Sequence, residues 1–141
     1  MNSTKQDVSE FNWMLNAFVK DAGGVTDAVT VSTDGLLMAH SDSLDRAGAQ
    51  QAAAIVSALV SLGQSTHRCL GFGGLEQVIV AMDGGFLYLT AMGDAGCLGA
   101  ITESAFDMDN VGYQMGTFVK RAERMLSPAL IADLKASVGA D

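Results

Sequence analysis

The sequence predicts an α+β domain in which helices cover the faces of a mainly antiparallel sheet. Three observations carry that expectation. Apolar spacing switches between helical and strand periods in the order helix, two strands, helix, three strands, helix, helix. Short Gly-containing turns join the strand-like runs, and tight turns connect antiparallel neighbours. The second helical run, residues 47–67, contains no Asp, Glu, Lys or Arg, although Arg46 and Arg68 flank it. A helix without charge on any side is expected to bury two faces, one on a sheet and one elsewhere.

Asp7-Val8-Ser9-Glu10 has the form of a helix start, with Asp7 as N-cap and Glu10 three residues on. Phe11, Met14, Leu15, Phe18 and Ala22 follow at helical spacing, and Gly23-Gly24 ends the run. Trp13 falls on the far side of that stripe. Another part of the chain is expected to cover it; the alternative is an exposed aromatic anchor for a partner. Residues 25–33 and 36–41 are β-prone runs around Asp34-Gly35, the clearest hairpin signal in the chain.

Asp42 or Asp45 can cap the uncharged helix, which is expected to run to about His67. On a helical wheel, Gly48, Ala52, Ile55, Val56, Leu59, Val60 and Leu62 form a broad apolar arc for the sheet. The opposite arc holds Gln50, Ala54, Ser57, Ala58, Ser61 and Gln64. Small uncharged residues there let another backbone approach, and a second copy of the same helix is the expected neighbour. The Gln and Ser residues disfavour a membrane span.

Gly71-Phe72-Gly73-Gly74 breaks the chain, and residues 75–82, 86–92 and 97–102 then read as a three-stranded meander. Helical spacing returns with Val111, Met115, Phe118, Val119, Ala122, Met125 and Leu126. Asp107 and Asp109 start that helix and Lys120, Arg121 and Arg124 lie towards its end, signs that suit its dipole. Ser127-Pro128 opens a short last helix with Leu130, Ile131, Leu134 and Val138 on one side. Neither repeats nor low-complexity linkers interrupt the pattern. One domain over residues 1–141 is expected, with a core at about 8–126 and a helical tail at 127–141. The whole is an α+β sandwich of the profilin-like kind.

Composition narrows the function. At 141 residues and 49% apolar content, the chain can bury about two-thirds of its unfolded surface. A net charge of −8 offers no basic footprint, so nucleic acid is not an expected partner. The start MNSTKQDVSEF lacks the apolar core of a signal peptide, and two cysteines suggest reduced thiols, so a cytoplasmic location is expected. His67 and Cys69 are two apart, with His40 and Cys97 elsewhere; this is no metal-ligand or nucleophile spacing. The Gly71-to-Gly74 run precedes a strand rather than a helix, and no P-loop pattern occurs, so no phosphate cradle is expected. Caps explain Asp107 and Asp109. No cofactor and no catalytic residue is expected: the residues point to an interaction module rather than an enzyme.

The hairpin Ser32-Thr33-Asp34-Gly35-Leu36-Leu37-Met38-Ala39, the run Gly74-Leu75-Glu76-Gln77-Val78-Ile79-Val80 and the run Gly85-Phe86-Leu87-Tyr88-Leu89 resemble the Roadblock/dynein light chain family. Asp109-Asn110-Val111-Gly112 fits that family's third helix. Leu126-Ser127-Pro128-Ala129-Leu130 is similar to the tail of its actinobacterial branch. The resemblance covers roughly residues 10–135.

It implies a five-stranded antiparallel sheet flanked by helices, with two copies paired through the second helix and third strand, here residues 45–67 and 75–82. Ala54, Ser57, Ala58 and Ser61, with Val78, Ile79 and Val80, would then form a homodimer interface. Family members bind and regulate Ras-like small GTPases, and the actinobacterial branch implies a membrane histidine-kinase-like sensor in the same complex, with recruitment to the membrane through partners. Gln50, Gln51 and Gln64, with Arg46 and Arg68 at the helix ends, are the candidate partner-binding residues; the alternatives are that the glutamines serve only the dimer and the arginines are solvated. A rival reading is a profilin-like small-molecule sensor. The apolar sheet-facing arc of the second helix favours a filled core over a sensor cavity.

Overall fold

The computed structural model describes residues 2–139, and side-chain surroundings over residues 5–139. The helical stripe of the first segment forms α1 (Asn2–Asp21), and the hairpin forms β1 (Val25–Ser32) and β2 (Leu37–His40). The uncharged helix is α2 (Arg46–Leu70). The meander is β3 (Gln77–Met82), β4 (Gly85–Ala91) and β5 (Gly96–Glu103), followed by α3 (Met108–Met125) and α4 (Pro128–Gly139).

The strands form one antiparallel sheet in the order β2-β1-β5-β4-β3. Alternation along the strands divides the core into two layers. Ala28, Tyr88, Leu98 and Ala100 face α1, α3 and α4, where Phe11, Leu15, Met115, Phe118, Leu130 and Leu134 bury themselves. Phe11 and Phe118 meet edge to face, with ring centroids 5.7 Å apart. Val29, Val31, Leu89 and Cys97 face α2 instead. Burying each large side chain of these layers is worth about 1.5–3 kcal/mol.

The two sheet edges differ. α4 packs beside β2 and α1, and its Val138 reaches the layer on the α2 side. At the other edge, β3 has β4 and α2 as its main neighbours. Ser127 and Pro128 start α4 as expected, with the Ser127 hydroxyl accepting from the Leu130 amide at 3.1 Å. Asp107 likewise caps α3 by accepting from the Asn110 amide.

Two expectations about α1 fail. Asp7 is not its N-cap, because α1 begins by Asn2 and Asp7 lies half-buried within it. No Gly or Pro separates Asn2 from Asp7, so nothing stops the helix extending upstream of the apparent cap. Trp13 is not covered by the rest of the chain: it is 65% exposed. α1 buries one stripe on the sheet and α3, which leaves Trp13 beside a shallow groove with Gln114 and Arg121.

Candidate functional site

The helix α2 is fixed at both ends by its own sequence. The Asp45 carboxylate accepts from the Gly48 amide at 2.7 Å, which selects Asp45 over Asp42 as the cap. Asp42 instead donates its backbone N–H to the Asn16 side chain at 2.8 Å. Gly71 closes the helix at φ 70°, with its amide on the His67 carbonyl; a left-handed residue there suits glycine.

The sheet takes a narrower stripe of α2 than the helical wheel suggested. Ala49, Ala53 and Val56 are buried, with Ala52, Leu59 and Val60 partly so. Ile55 and Leu62, assigned to the sheet-facing arc, are instead 54% and 66% exposed. Small alanines at the contact bring the helix close to the sheet, so residues on the flank project past its surface.

The outer stripe, Ala54, Ala58 and Ser61, is exposed along one side of α2. Ser57 is only half-exposed and turns towards the β1–β2 turn: a Cβ on Gly35 would stand 2.7 Å from its Oγ. Along β3 the three valine and isoleucine side chains divide between faces. Val78 and Val80 are half-buried, Val78 against the α2-side core, while Ile79 is exposed and lies on the other face. Gln50, Gln51 and Gln64 are exposed on α2. Arg46 and Arg68 are exposed at its two ends, about 33 Å apart along the axis, so the structure does not bring them together.

A cavity of about 430 Å³ lies between the C-terminal half of α2 and the turn end of the sheet. Val31, Val56, Val60, Leu89 and Cys97 form its apolar floor. Ser57, Ser61, Gln64 and Arg68 line it from the helix, Ser32 and Asp34 from the β1–β2 end, and Glu76 and Gln77 from the β3 end. The expectation of a filled core under a wholly apolar arc is therefore wrong at this end. The missed signal was the spacing of Ser57, Ser61, Gln64 and Arg68, which places four polar groups on one flank of the helix.

Burial pushes the Cys97 thiol up to about 11, so it stays neutral at physiological pH and behaves as part of the floor. Cys69 is exposed on α2, on a different element from Cys97. Among the described residues, no group of three or more His, Cys, Asp or Glu is placed to hold a metal ion. Among them, too, no helix is long and apolar enough to cross a membrane.

Comparison with known proteins agrees with this architecture. The sequence model of the Roadblock/LC7 domain matches residues 11–102. A Roadblock/LC7 domain from Streptomyces avermitilis shares 32% identity over 80% of this chain and 94% of its own, with a TM-score of 0.76. MglB from Myxococcus xanthus superposes with a TM-score of 0.77 over 83% of this chain and 94% of its own, at 14% identity. LokiProfilin2, from its complex with rabbit actin, gives a TM-score of 0.58 at 10% identity over 83% of this chain and 98% of its own. The last two share the fold alone. No curated protein sequence matches. On the strength of the domain match and the Streptomyces relative, this chain belongs to the Roadblock/LC7 family.

Proposed function

We propose that this Roadblock/LC7 protein is a non-enzymatic, dimeric regulator or scaffold that binds a Ras-like small GTPase in a signalling complex. Family membership supports the class of partner, since Roadblock proteins bind such GTPases. The observation that carries the surface is the distribution of exposed apolar side chains. Of ten large ones exposed among the described residues, Ile55, Leu62, Leu70, Phe72, Ile79 and Met82 lie on α2, on the loop after it or on β3. Large apolar side chains left exposed on neighbouring elements favour a contact with another protein. The absence of charge between Arg46 and Arg68 suits a desolvated contact. In this reading two copies pair through the α2 stripe of Ala54, Ala58 and Ser61 and through the outer edge of β3. The GTPase then docks on the paired helices near Gln50, Gln51 and Gln64. A cytoplasmic protein of this kind would reach the membrane through partners, among them a histidine-kinase-like sensor.

The experiment is calorimetric binding of Ras-like small GTPases from the same organism, in their GDP and GTP forms, together with single-turnover GTP hydrolysis. Binding that prefers one nucleotide state is the expected result, with hydrolysis faster in the presence of this protein. Binding by none of them in either state removes the proposal.

A further inference from the structure

The cavity beside α2 has the make-up of a small-molecule site. Its volume of about 430 Å³ falls within the range of about 300–1,000 Å³ usual for ligand pockets. The floor of Val31, Val56, Val60 and Leu89 offers continuous apolar surface. Above it, Ser57, Ser61, Gln64 and Arg68 follow one another at spacings of four, three and four, so all lie on one flank of α2. Among the described residues, the side chains of Ser57, Ser61 and Gln64 make no hydrogen bond within the chain, which leaves their donors available to a ligand. Arg68 commits one guanidinium nitrogen to Ser65 Oγ at 2.9 Å.

The charges select the ligand's chemistry. Arg68 is the cation of the lining. Asp34, across the cavity, is already engaged by the Ser32 hydroxyl and the Lys135 ammonium. Glu76 lines the cavity from the β3 end of the sheet and opposes a second negative charge there. Cys97 adds a neutral sulfur to the floor. We propose that this cavity binds an amphipathic monocarboxylate, with its apolar tail on the valine and leucine floor and its carboxylate on Arg68 beside Ser61 and Gln64. The geometry of a guanidinium favours a carboxylate over a point anion, because two parallel N–H groups meet two oxygens. The site shares Ser61 and Gln64 with the dimer and partner surfaces proposed above, and it is tested on the protein alone.

Isothermal titration with octanoate, suberate, octylamine and octanol provides the test. Octanoate binds at one per chain and more tightly than octanol; octylamine does not bind. Arg68→Gln weakens octanoate about tenfold, the loss of one charge-assisted contact, and leaves octanol unchanged. Suberate binds poorly to the wild type and gains affinity in Glu76→Gln. Val60→Trp fills the cavity and abolishes binding; if that variant fails to fold by circular dichroism, Ser61→Trp at the exposed rim serves instead. Octylamine binding as tightly as octanoate, an Arg68→Gln variant with unchanged affinity, or no saturable octanoate binding each overturns the proposal.

Discussion

Lys135 Nζ lies 2.9 Å from Asp34 Oδ2, so the last helix is bonded to the turn between β1 and β2. The contact spans a hundred residues of chain and joins the tail to the rim of the cavity. The Asp34 carboxyl is held below its ordinary value, first by the Ser32 hydroxyl that donates to it and then by the Lys135 hydrogen bond. A carboxylate with a depressed pKa in the folded state adds stability above its unfolded pKa and loses it as pH falls through the folded value. Lys135→Ala should therefore move the Asp34 titration upwards, and Ser32→Ala should move it further. Carboxyl-carbon NMR shifts across the acid range report both; an unmoved titration in Lys135→Ala would mean that the pair does not persist in solution.

Gly35 carries a second constraint in the same turn. Its φ is +84°, and a Cβ there would approach Ser57 Oγ at 2.7 Å. Gly35→Ala should destabilise the protein by about 1–2 kcal/mol, from the left-handed backbone and the contact together. In a Ser57→Ala background the penalty should be smaller, because only the backbone part remains. Urea unfolding of the four proteins measures the coupling; strictly additive costs would mean that the hydroxyl does not face the turn.

The exposed alanines of α2 give a clean test of pairing. Ala54→Glu and Ala58→Glu place charge on a surface that is open in the single chain, so the fold itself should survive. In a paired helix the same charge is buried without a partner in both copies, at a cost on the order of several kcal/mol per ion. Multi-angle light scattering should show a dimer for the wild type and a monomer for either variant, with helical content preserved. Ser57→Arg is a poorer probe, since Ser57 also faces the hairpin. A dimer that survives both alanine changes would place the interface elsewhere.

Amide exchange tests the edge of β3. Its inner amides bond to β4, whereas outward-pointing ones in Gln77–Met82 have no strand beside them in the single chain. Alternating fast and slow exchange is the pattern of a free edge, and uniform slow exchange that of a strand paired on both sides. Uniform protection in the dimer, reverting to alternation in Ala58→Glu, is the expected result. Fast outward amides in the dimer would confine the pairing to α2.

The element order and sheet were readable because period and turn chemistry agree along most of the chain. Asp34-Gly35 and Ser127-Pro128 announce their structures locally, and the strand runs alternate between two buried layers. What escaped depends on tertiary distance. Whether Ile55 or Leu62 reaches the sheet is decided by how closely Ala49 and Ala53 let α2 approach, which no helical wheel contains. The cavity escaped for the same reason: Ser57 and Arg68 line a space that the turn at Asp34 and the loop at Glu76 close off only in the folded sheet. Trp13 was misplaced because covering it required a neighbour that α3 does not supply.

A bound GTPase can be stimulated by an inserted arginine or by reordering of its own catalytic residues. If this protein accelerates hydrolysis by inserting an arginine, Arg46 and Arg68 are the candidates on the helix itself, one at each end. Because they are about 33 Å apart on one chain, a single active site can take only one of them from a given copy. An inserted arginine stabilises charge on the transferring phosphoryl group, and its loss lowers turnover about a thousandfold or more. Reordering of the GTPase's own catalytic residues requires no such group. Single-turnover hydrolysis with Arg46→Ala and Arg68→Ala separates the two mechanisms. The expected outcome is the second: binding weakens severalfold at most, and stimulated hydrolysis at saturating protein stays within about tenfold of the wild type. That expectation follows from Arg68, whose guanidinium is already engaged by the Ser65 hydroxyl of its own helix. A thousandfold loss in either variant, with binding intact, would instead identify the inserted residue.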